Sequence, residues 1–149
     1  MQRLTRILSL LAACLALTAC DGPTVFMSGG ELSGAVSEVP GTWQLEETSA
    51  LAQLETRPED PYSINLVYVQ MNGDLYIYAG DTRTNWVQHI EVSPLIRLRV
   101  GETIYPARAE RVTDDEELGE FAAIWASRSL FQRDPMQFDE VWLYRLEAR

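Results

Sequence analysis

Residues 62–80 read YSINLVYVQMNGDLYIYAG, and this stretch decides the fold. Residues 62–70 are rich in β-branched and aromatic side chains, which favour a pleated surface. Asn72 and Gly73 then form the dipeptide that type I′ turns prefer, because both central residues of such a turn have positive φ. Residues 75–79 return with a similar composition. The stretch therefore predicts a β-hairpin.

A second hairpin is predicted over residues 95–112, where an alternating strand turns at Gly101 and Glu102 and then runs back. Pro106 has no backbone N–H to donate, so its strand is expected at an edge or a bulge. Arg97, Arg99 and Arg108 either face a ligand or pair with acidic neighbours across the strands, and the pattern favours pairing. Weaker alternation predicts two further strands, at residues 53–57 and 141–146.

A short helix is predicted between the two hairpins, over residues 82–92. Trp86, His89 and Ile90 fall at helical spacing, and Pro94 prevents the helix from continuing.

A second helix is predicted to begin at a capping box. Thr113 is expected to cap it, and the Glu116 carboxylate to bond back to the Thr113 N–H. The acidic residues at this point lack the spacing of an EF-hand, so they indicate a helix start rather than a calcium site. An apolar stripe follows, made of Leu118, Phe121, Ala122 and Trp125. Antiparallel strands with two helices predict an α+β fold with a barrel-like sheet.

Charge and composition exclude several classes of function. The chain has a net charge of −10, and its 12 basic residues are all arginines with no clustered basic face, so nucleic acid is not an expected partner. His89 is the only histidine, and the two cysteines, Cys14 and Cys20, belong to the segment discussed next. A His/Cys metal site and Cys–His catalysis are therefore excluded, and no catalytic residue is assigned.

Leu17-Thr18-Ala19-Cys20 follows a short apolar run behind Arg3 and Arg6. This arrangement resembles the signal of bacterial lipoproteins, in which the chain is cleaved before the cysteine and the cysteine thiol is acylated. The resemblance implies a signal peptide over residues 1–19, a lipidated Cys20 with a tether to residue 30, and one domain over residues 31–149. The implied partner is the lipid bilayer of the cell envelope, and Asp21 favours the periplasmic side of the inner membrane. An ordinary signal peptide is the alternative.

Five segments carry a second resemblance: LYIYAG at 75–80, NW at 85–86, SPLIRLRVG at 93–101, TIYPARA at 103–109 and VTDDEE at 112–117. Together they resemble the split β-barrel of the flavin-reductase and pyridoxamine-phosphate-oxidase type, most of all the deazaflavin-dependent nitroreductases. The resemblance covers residues 53–125 and implies a split barrel of antiparallel strands with two helices. It also implies a homodimer that binds a flavin or deazaflavin at its interface, with basic and hydroxyl side chains on the phosphate.

The candidate cofactor site consists of Thr82, Arg83, Asn85, Trp86 and His89. These residues follow a strand and open a helix, where free backbone N–H groups and a cation can hold an anion. Arg83 would supply a bidentate grip and Trp86 a stacking face. The alternative is a strand-to-helix corner with a capping residue, a buried tryptophan and a partly buried histidine.

One segment departs from the nitroreductase pattern. Those proteins carry a run rich in glycine, lysine and arginine before the strand that here begins at Tyr62, whereas residues 55–61 read ETRPEDP. A phosphate would therefore meet Glu59 and Asp60, without the attraction of a charge-assisted bond. The sequence predicts a membrane-anchored lipoprotein with a non-catalytic binding or interaction domain. Two alternatives stay open: a flavin-, deazaflavin- or haem-dependent oxidoreductase of the envelope, and a structural envelope component.

Overall fold

The computed structural model describes residues 22–25, 27–48, 50–128 and 133–149. The predicted signal peptide over residues 1–19 and the predicted lipidation site Cys20 lie outside the described residues. Within those ranges, no helix is long and apolar enough to span a bilayer. The elements are β1 (Ala35–Val36), β2 (Leu51–Thr56), β3 (Tyr62–Met71), β4 (Asp74–Tyr78), α1 (Asn85–Val92), β5 (Leu95–Val100), β6 (Thr103–Arg111), α2 (Asp115–Ser127), a 3-10 helix (Pro135–Gln137) and β7 (Leu143–Ala148).

Six of the strands close into an antiparallel barrel. They run in the order β2, β3, β4, β7, β6 and β5, and β5 pairs with β2 again to close the ring. Closure gives each of these strands two neighbours, which removes the exposed edges of an open sheet. β1 adds to β6 in parallel, outside the ring. The predicted α+β fold, a split β-barrel of antiparallel strands with two helices, is confirmed.

Both predicted hairpins are confirmed. In the β3–β4 turn, Asn72 has a φ of 54° and Gly73 a φ of 87°. These are the positive values that a type I′ turn requires and that the Asn-Gly dipeptide predicts. The β5–β6 turn pairs Val100 with Thr103. Pro106 lies between Ile104, which pairs with β1, and the part of β6 that pairs with β7. Pro106 pairs with Arg97 of β5 on one side of β6. On the other side it lies in the gap between β1 and β7, where its missing N–H leaves no ladder bond unmade.

Helix α1 begins at Asn85, three residues later than the prediction of a start at residue 82. The preceding Thr84 has an extended backbone with φ −64° and ψ 169°, so the residues after β4 do not enter the helix. The end of α1 agrees with the prediction. Ser93 is extended because the residue before a proline avoids helical conformation.

The predicted capping box of α2 is wrong by one residue. The cap is Asp114, whose Oδ1 accepts a hydrogen bond from the Glu117 backbone N–H at 2.9 Å. Aspartate is a better N-cap than threonine, which explains why Asp114 is used rather than Thr113. The Glu117 carboxylate points to the barrel, where it accepts hydrogen bonds from the Tyr76 hydroxyl at 2.8 Å and from Arg145 at 2.7 Å. The predicted apolar stripe is confirmed, with Phe121 and Ala122 buried, and Leu118 and Trp125 packed beside them.

Two hydrophobic clusters form the core. The larger one fills the barrel and includes Leu54, Ile77 and Leu98. The buried residues of α1, Trp86, Val87 and Ile90, belong to this larger cluster. The smaller cluster lies between α2 and the barrel. Because three of its side chains are fixed in the barrel core, α1 holds His89 in a defined position.

Candidate functional site

His89 lies where α1, the end of β2 and the start of β3 meet. Its Nδ1 is 2.9 Å from the Oγ1 of Thr56, the last residue of β2. Its ring packs edge-on against Tyr62, with ring centroids 5.0 Å apart and an interplanar angle of 82°. Thr56 is buried, so this contact anchors the imidazole from the inside of the fold.

The surroundings of His89 favour the uncharged imidazole. Partial burial lowers its pKa, and the nearby Arg57 lowers the pKa further, while Asp60 acts in the opposite direction. The Thr56 hydroxyl has the Tyr62 carbonyl as an acceptor at 3.4 Å. We therefore assign the proton of the neutral imidazole to Nδ1, which donates to Thr56 Oγ1, and leave the lone pair on Nε2.

The β2–β3 turn forms the second side of the site. Arg57 adopts a positive φ of 57°, and its carbonyl accepts a hydrogen bond from the Asp60 N–H at 3.0 Å. Its guanidinium also pairs with the Asp60 carboxylate, with Nη1 3.2 Å from Oδ2. Glu59 is exposed in the same turn. The turn thus presents one arginine and two carboxylates.

A groove of about 480 Å³ separates this turn from α1. Its walls are mainly apolar, and Val92 leaves 89% of its surface exposed, which is unusual for a valine in a helix. A groove with apolar walls and a few polar groups is the usual form of a small-molecule site. The lining residues are Arg57, Pro58, Glu59, Asp60, His89, Val92, Ser93 and Leu95.

Only one of the five residues of the predicted cofactor site, His89, reaches this groove. Trp86 is buried in the barrel core, where it packs against Tyr144 with ring centroids 5.9 Å apart. Arg83 pairs with Glu91, its Nε 2.6 Å from Oε2. The two remaining residues, Thr82 and Asn85, are exposed near the start of α1. Binding of a cofactor at this corner stays a prediction.

Thr56, Val92 and Leu95 belong to the site and were not identified from the sequence. A signal for the two apolar residues was available, since both flank Ser93-Pro94 and Val92 does not fall on the buried face of α1. Thr56 had no such signal, because its contact with His89 joins residues 33 positions apart.

The arginines of the second hairpin each have an acidic neighbour, but among the described residues only Arg97 pairs across strands; Arg99 pairs within its turn and Arg108 within its own strand. Arg97 donates to both oxygens of the buried Glu55 carboxylate, at 2.9 and 3.0 Å. Arg99 donates to Glu102 at 3.1 Å, and the Nε of Arg108 is 3.9 Å from Glu110. The described parts of the chain also hold no cluster of three potential metal-binding side chains.

Comparison with known proteins identifies the fold. No protein-family model and no curated protein matches the chain. A solved structure described as a domain-swapped dimer aligns with a TM-score of 0.54 and 13% identity. The alignment covers 65% of this chain and 79% of the chain in that structure. A Listeria innocua protein named for pyridoxamine 5′-phosphate oxidase aligns with a TM-score of 0.51 and 9% identity, covering 66% and 83%. An F420-H2 dependent reductase aligns with a TM-score of 0.54 and 13% identity, covering 77% of this chain and 100% of its own. At such low identity the likeness establishes a shared fold, and the predicted resemblance to split barrels is confirmed at that level.

Proposed function

We propose that this domain binds the planar ring of a flavin-type ligand in the groove between the β2–β3 turn and α1. The position of the groove carries the proposal. Its wall includes residues 57–60, directly before β3, the position at which the nitroreductases carry their run of glycine, lysine and arginine and at which this chain is acidic. The fold shared with an F420-H2 dependent reductase and with a protein named for pyridoxamine 5′-phosphate oxidase supports the same class of ligand.

The groove offers distinct contacts to the faces and the edge of such a ring. Pro58, Val92 and Leu95 supply apolar surface for the ring faces. The Nε2 of His89 supplies a hydrogen-bond acceptor for an N–H group at the ring edge. A flavin-type ring supplies hydride or electron transfer when bound, and the role of these residues is to bind and orient it.

The proposal is tested by titrating the full chain in detergent micelles with riboflavin and following the quenching of flavin fluorescence. His89→Phe should raise the dissociation constant on the order of tenfold, because it keeps a planar ring and removes the Nε2 acceptor. Arg83→Ala, at a side chain that does not line the groove, is the matched control and should leave the constant within about threefold. Melting curves of both variants verify that they fold.

Two results would contradict this assignment. Absence of binding by the wild-type protein would reject a flavin-type ligand. Loss of binding in Arg83→Ala with full binding in His89→Phe would instead favour the corner formed by Thr82, Arg83, Asn85 and Trp86.

We propose further that the domain is exported and held at the envelope by an acylated Cys20, on the periplasmic side of the inner membrane. The backbone of Gly29 pairs with that of Ser63 in β3 through two hydrogen bonds of 2.8 Å. The nine residues from Cys20 to Gly29 span at most roughly 30 Å. The barrel would therefore lie close to the bilayer.

Labelling of growing cells with radioactive palmitate tests the anchor. Wild-type protein and Cys14→Ala should carry the label, because Cys14 precedes the cleavage site. Cys20→Ala should carry none. A labelled Cys20→Ala protein would refute acylation at this residue.

We propose a homodimer as the assembled form, supported by the fold relative described as a domain-swapped dimer. The mass of the detergent-solubilised protein by light scattering measures this directly. A monomer mass across the micromolar range would contradict it.

A further inference from the structure

We propose that the groove selects a ligand without a phosphate: a neutral, planar heteroaromatic compound with an N–H donor, for which riboflavin is the probe. This inference rests on the proposed function, because it concerns the ligand of the same groove. It follows from the charged side chains around the groove, which are paired with one another and include more carboxylates than arginines.

Arg57 is the one cation that lines the described groove, and it is already engaged. Its guanidinium lies 3.2 Å from the Asp60 carboxylate, and a backbone hydrogen bond of 3.0 Å holds the two residues in one tight turn. Glu59 lies between them in sequence, exposed to solvent. The three side chains sum to one negative charge. A phosphate would compete with Asp60 for the guanidinium and would lie beside a second carboxylate, an unfavourable juxtaposition of like charges.

The next arginines along the groove carry no surplus charge either. Arg83, on the segment leading into α1, has its Nε 2.6 Å from the Glu91 carboxylate. Arg108 lies opposite Leu95 in the β5–β6 register, and Glu110 is 3.9 Å from it. Arg57, Arg83 and Arg108 therefore each have a negative neighbour, which reduces the attraction of this region for phosphates.

His89 selects against phosphate by its hydrogen-bonding character. Its Nδ1 is committed to Thr56 Oγ1 at 2.9 Å, and the neutral ring leaves only an acceptor at Nε2. A phosphate oxygen is also an acceptor and gains nothing from this nitrogen. A ring N–H is a donor and completes the pair. The polar group of the groove is therefore complementary to a neutral ring with an N–H edge.

Riboflavin and FMN test the inference, because they share the ring and the ribityl chain and differ by the phosphate. The full chain in detergent micelles is titrated with each at low ionic strength, with flavin fluorescence as the readout. FMN should bind more weakly than riboflavin, on the order of tenfold. The double variant Glu59→Gln, Asp60→Asn removes two negative charges and frees Arg57. It should bring the two constants to within about threefold.

The double variant Glu46→Gln, Glu47→Gln is the matched control. This variant makes the same change in net charge. Its two positions precede β2, and the six residues of that strand, roughly 17 Å long, separate them from the groove. The riboflavin-to-FMN ratio should not change. FMN binding as tightly as riboflavin, or equal shifts in both double variants, would overturn this inference and leave the proposed function intact. No binding of either flavin would reject the proposed function itself.

Discussion

Two charge clusters lie two residues apart at the end of β2, and they behave as opposites. Glu55 is 3% exposed, and its carboxylate accepts hydrogen bonds from Arg97 and from the Leu32 backbone N–H. Arg97 also donates to the Leu32 carbonyl at 3.0 Å. In the Arg57–Asp60 pair, by contrast, the side chains are 41% and 82% exposed.

The difference separates a structural role from a binding role. The buried cluster satisfies its charges completely and fastens the N-terminal segment to the barrel, so removing one partner leaves an uncompensated charge. The exposed pair is solvated and screened, so it adds little to stability. Similar residue types thus build the scaffold at Glu55 and, under the proposed function, influence ligand choice at Arg57.

The largest effect is expected from breaking the buried cluster. Arg97→Gln should lower the free energy of unfolding by about 3–5 kcal/mol, because the Glu55 carboxylate stays buried without its cation. Urea denaturation of the purified protein measures this. Arg83→Gln breaks the exposed pair with Glu91 and should cost less than about 1 kcal/mol. Equal losses in the two variants would contradict the distinction between buried and exposed pairs.

A smaller effect is expected at Thr56, which lies in sequence between Glu55 of the buried charge cluster and Arg57 of the exposed pair. Thr56→Val removes the hydroxyl bonded to His89 and should cost about 1 kcal/mol by urea denaturation. Thr82→Val, at an exposed hydroxyl, should change the stability by no more than about 0.5 kcal/mol. If Thr56→Val were neutral, the imidazole would not depend on this hydrogen bond for its position.

The smallest effect is the dependence of stability on pH through His89. Its pKa in the folded protein lies below the ordinary value, so on acidification the unfolded chain takes up the proton first. The histidine should therefore lower the stability as the pH falls below about 6.5. The charged groups that act on the pKa of His89 are Arg57, which lowers it, and Asp60, which raises it, both in the β2–β3 turn.

Urea denaturation of wild-type protein and His89→Gln at pH 7 and pH 5 separates this contribution. The wild-type protein should lose more stability between the two pH values than the variant. An equal loss in both proteins would show that His89 titrates alike in the folded and unfolded states.

Local patterns in the sequence were sufficient for the elements of the fold. The Asn72-Gly73 turn, the stripe around Phe121 and the end of α1 at Pro94 each depend on residues within a few positions of one another. The prediction at the start of α2 failed by one residue, because Asp114, a better N-cap than Thr113, caps the helix instead. The Glu117 carboxylate bonds to Tyr76 and Arg145, contacts that the local sequence does not reveal.

The candidate site was predicted in part, through His89; Glu59 and Asp60 were identified from the sequence only as residues unfavourable to a phosphate. Its other members were missed because they come from three elements that the barrel brings together. Trp86 was assigned a stacking role, yet the folded chain buries it in the core. A tryptophan on a short helix has the same local sequence pattern whether its ring is buried in the core or exposed to stack on a ligand.

By itself the sequence determined the hairpins, the two helices, the excess of negative charge and the acidic turn before β3. These properties follow from composition and short-range spacing, which no later contact can alter. The tertiary structure alone decided the closure of β6 on β7, the burial of Glu55 against Arg97 across 42 positions, and the groove between Arg57 and His89. Such contacts depend on the register of distant strands, and the physical chemistry of a local segment does not contain that information.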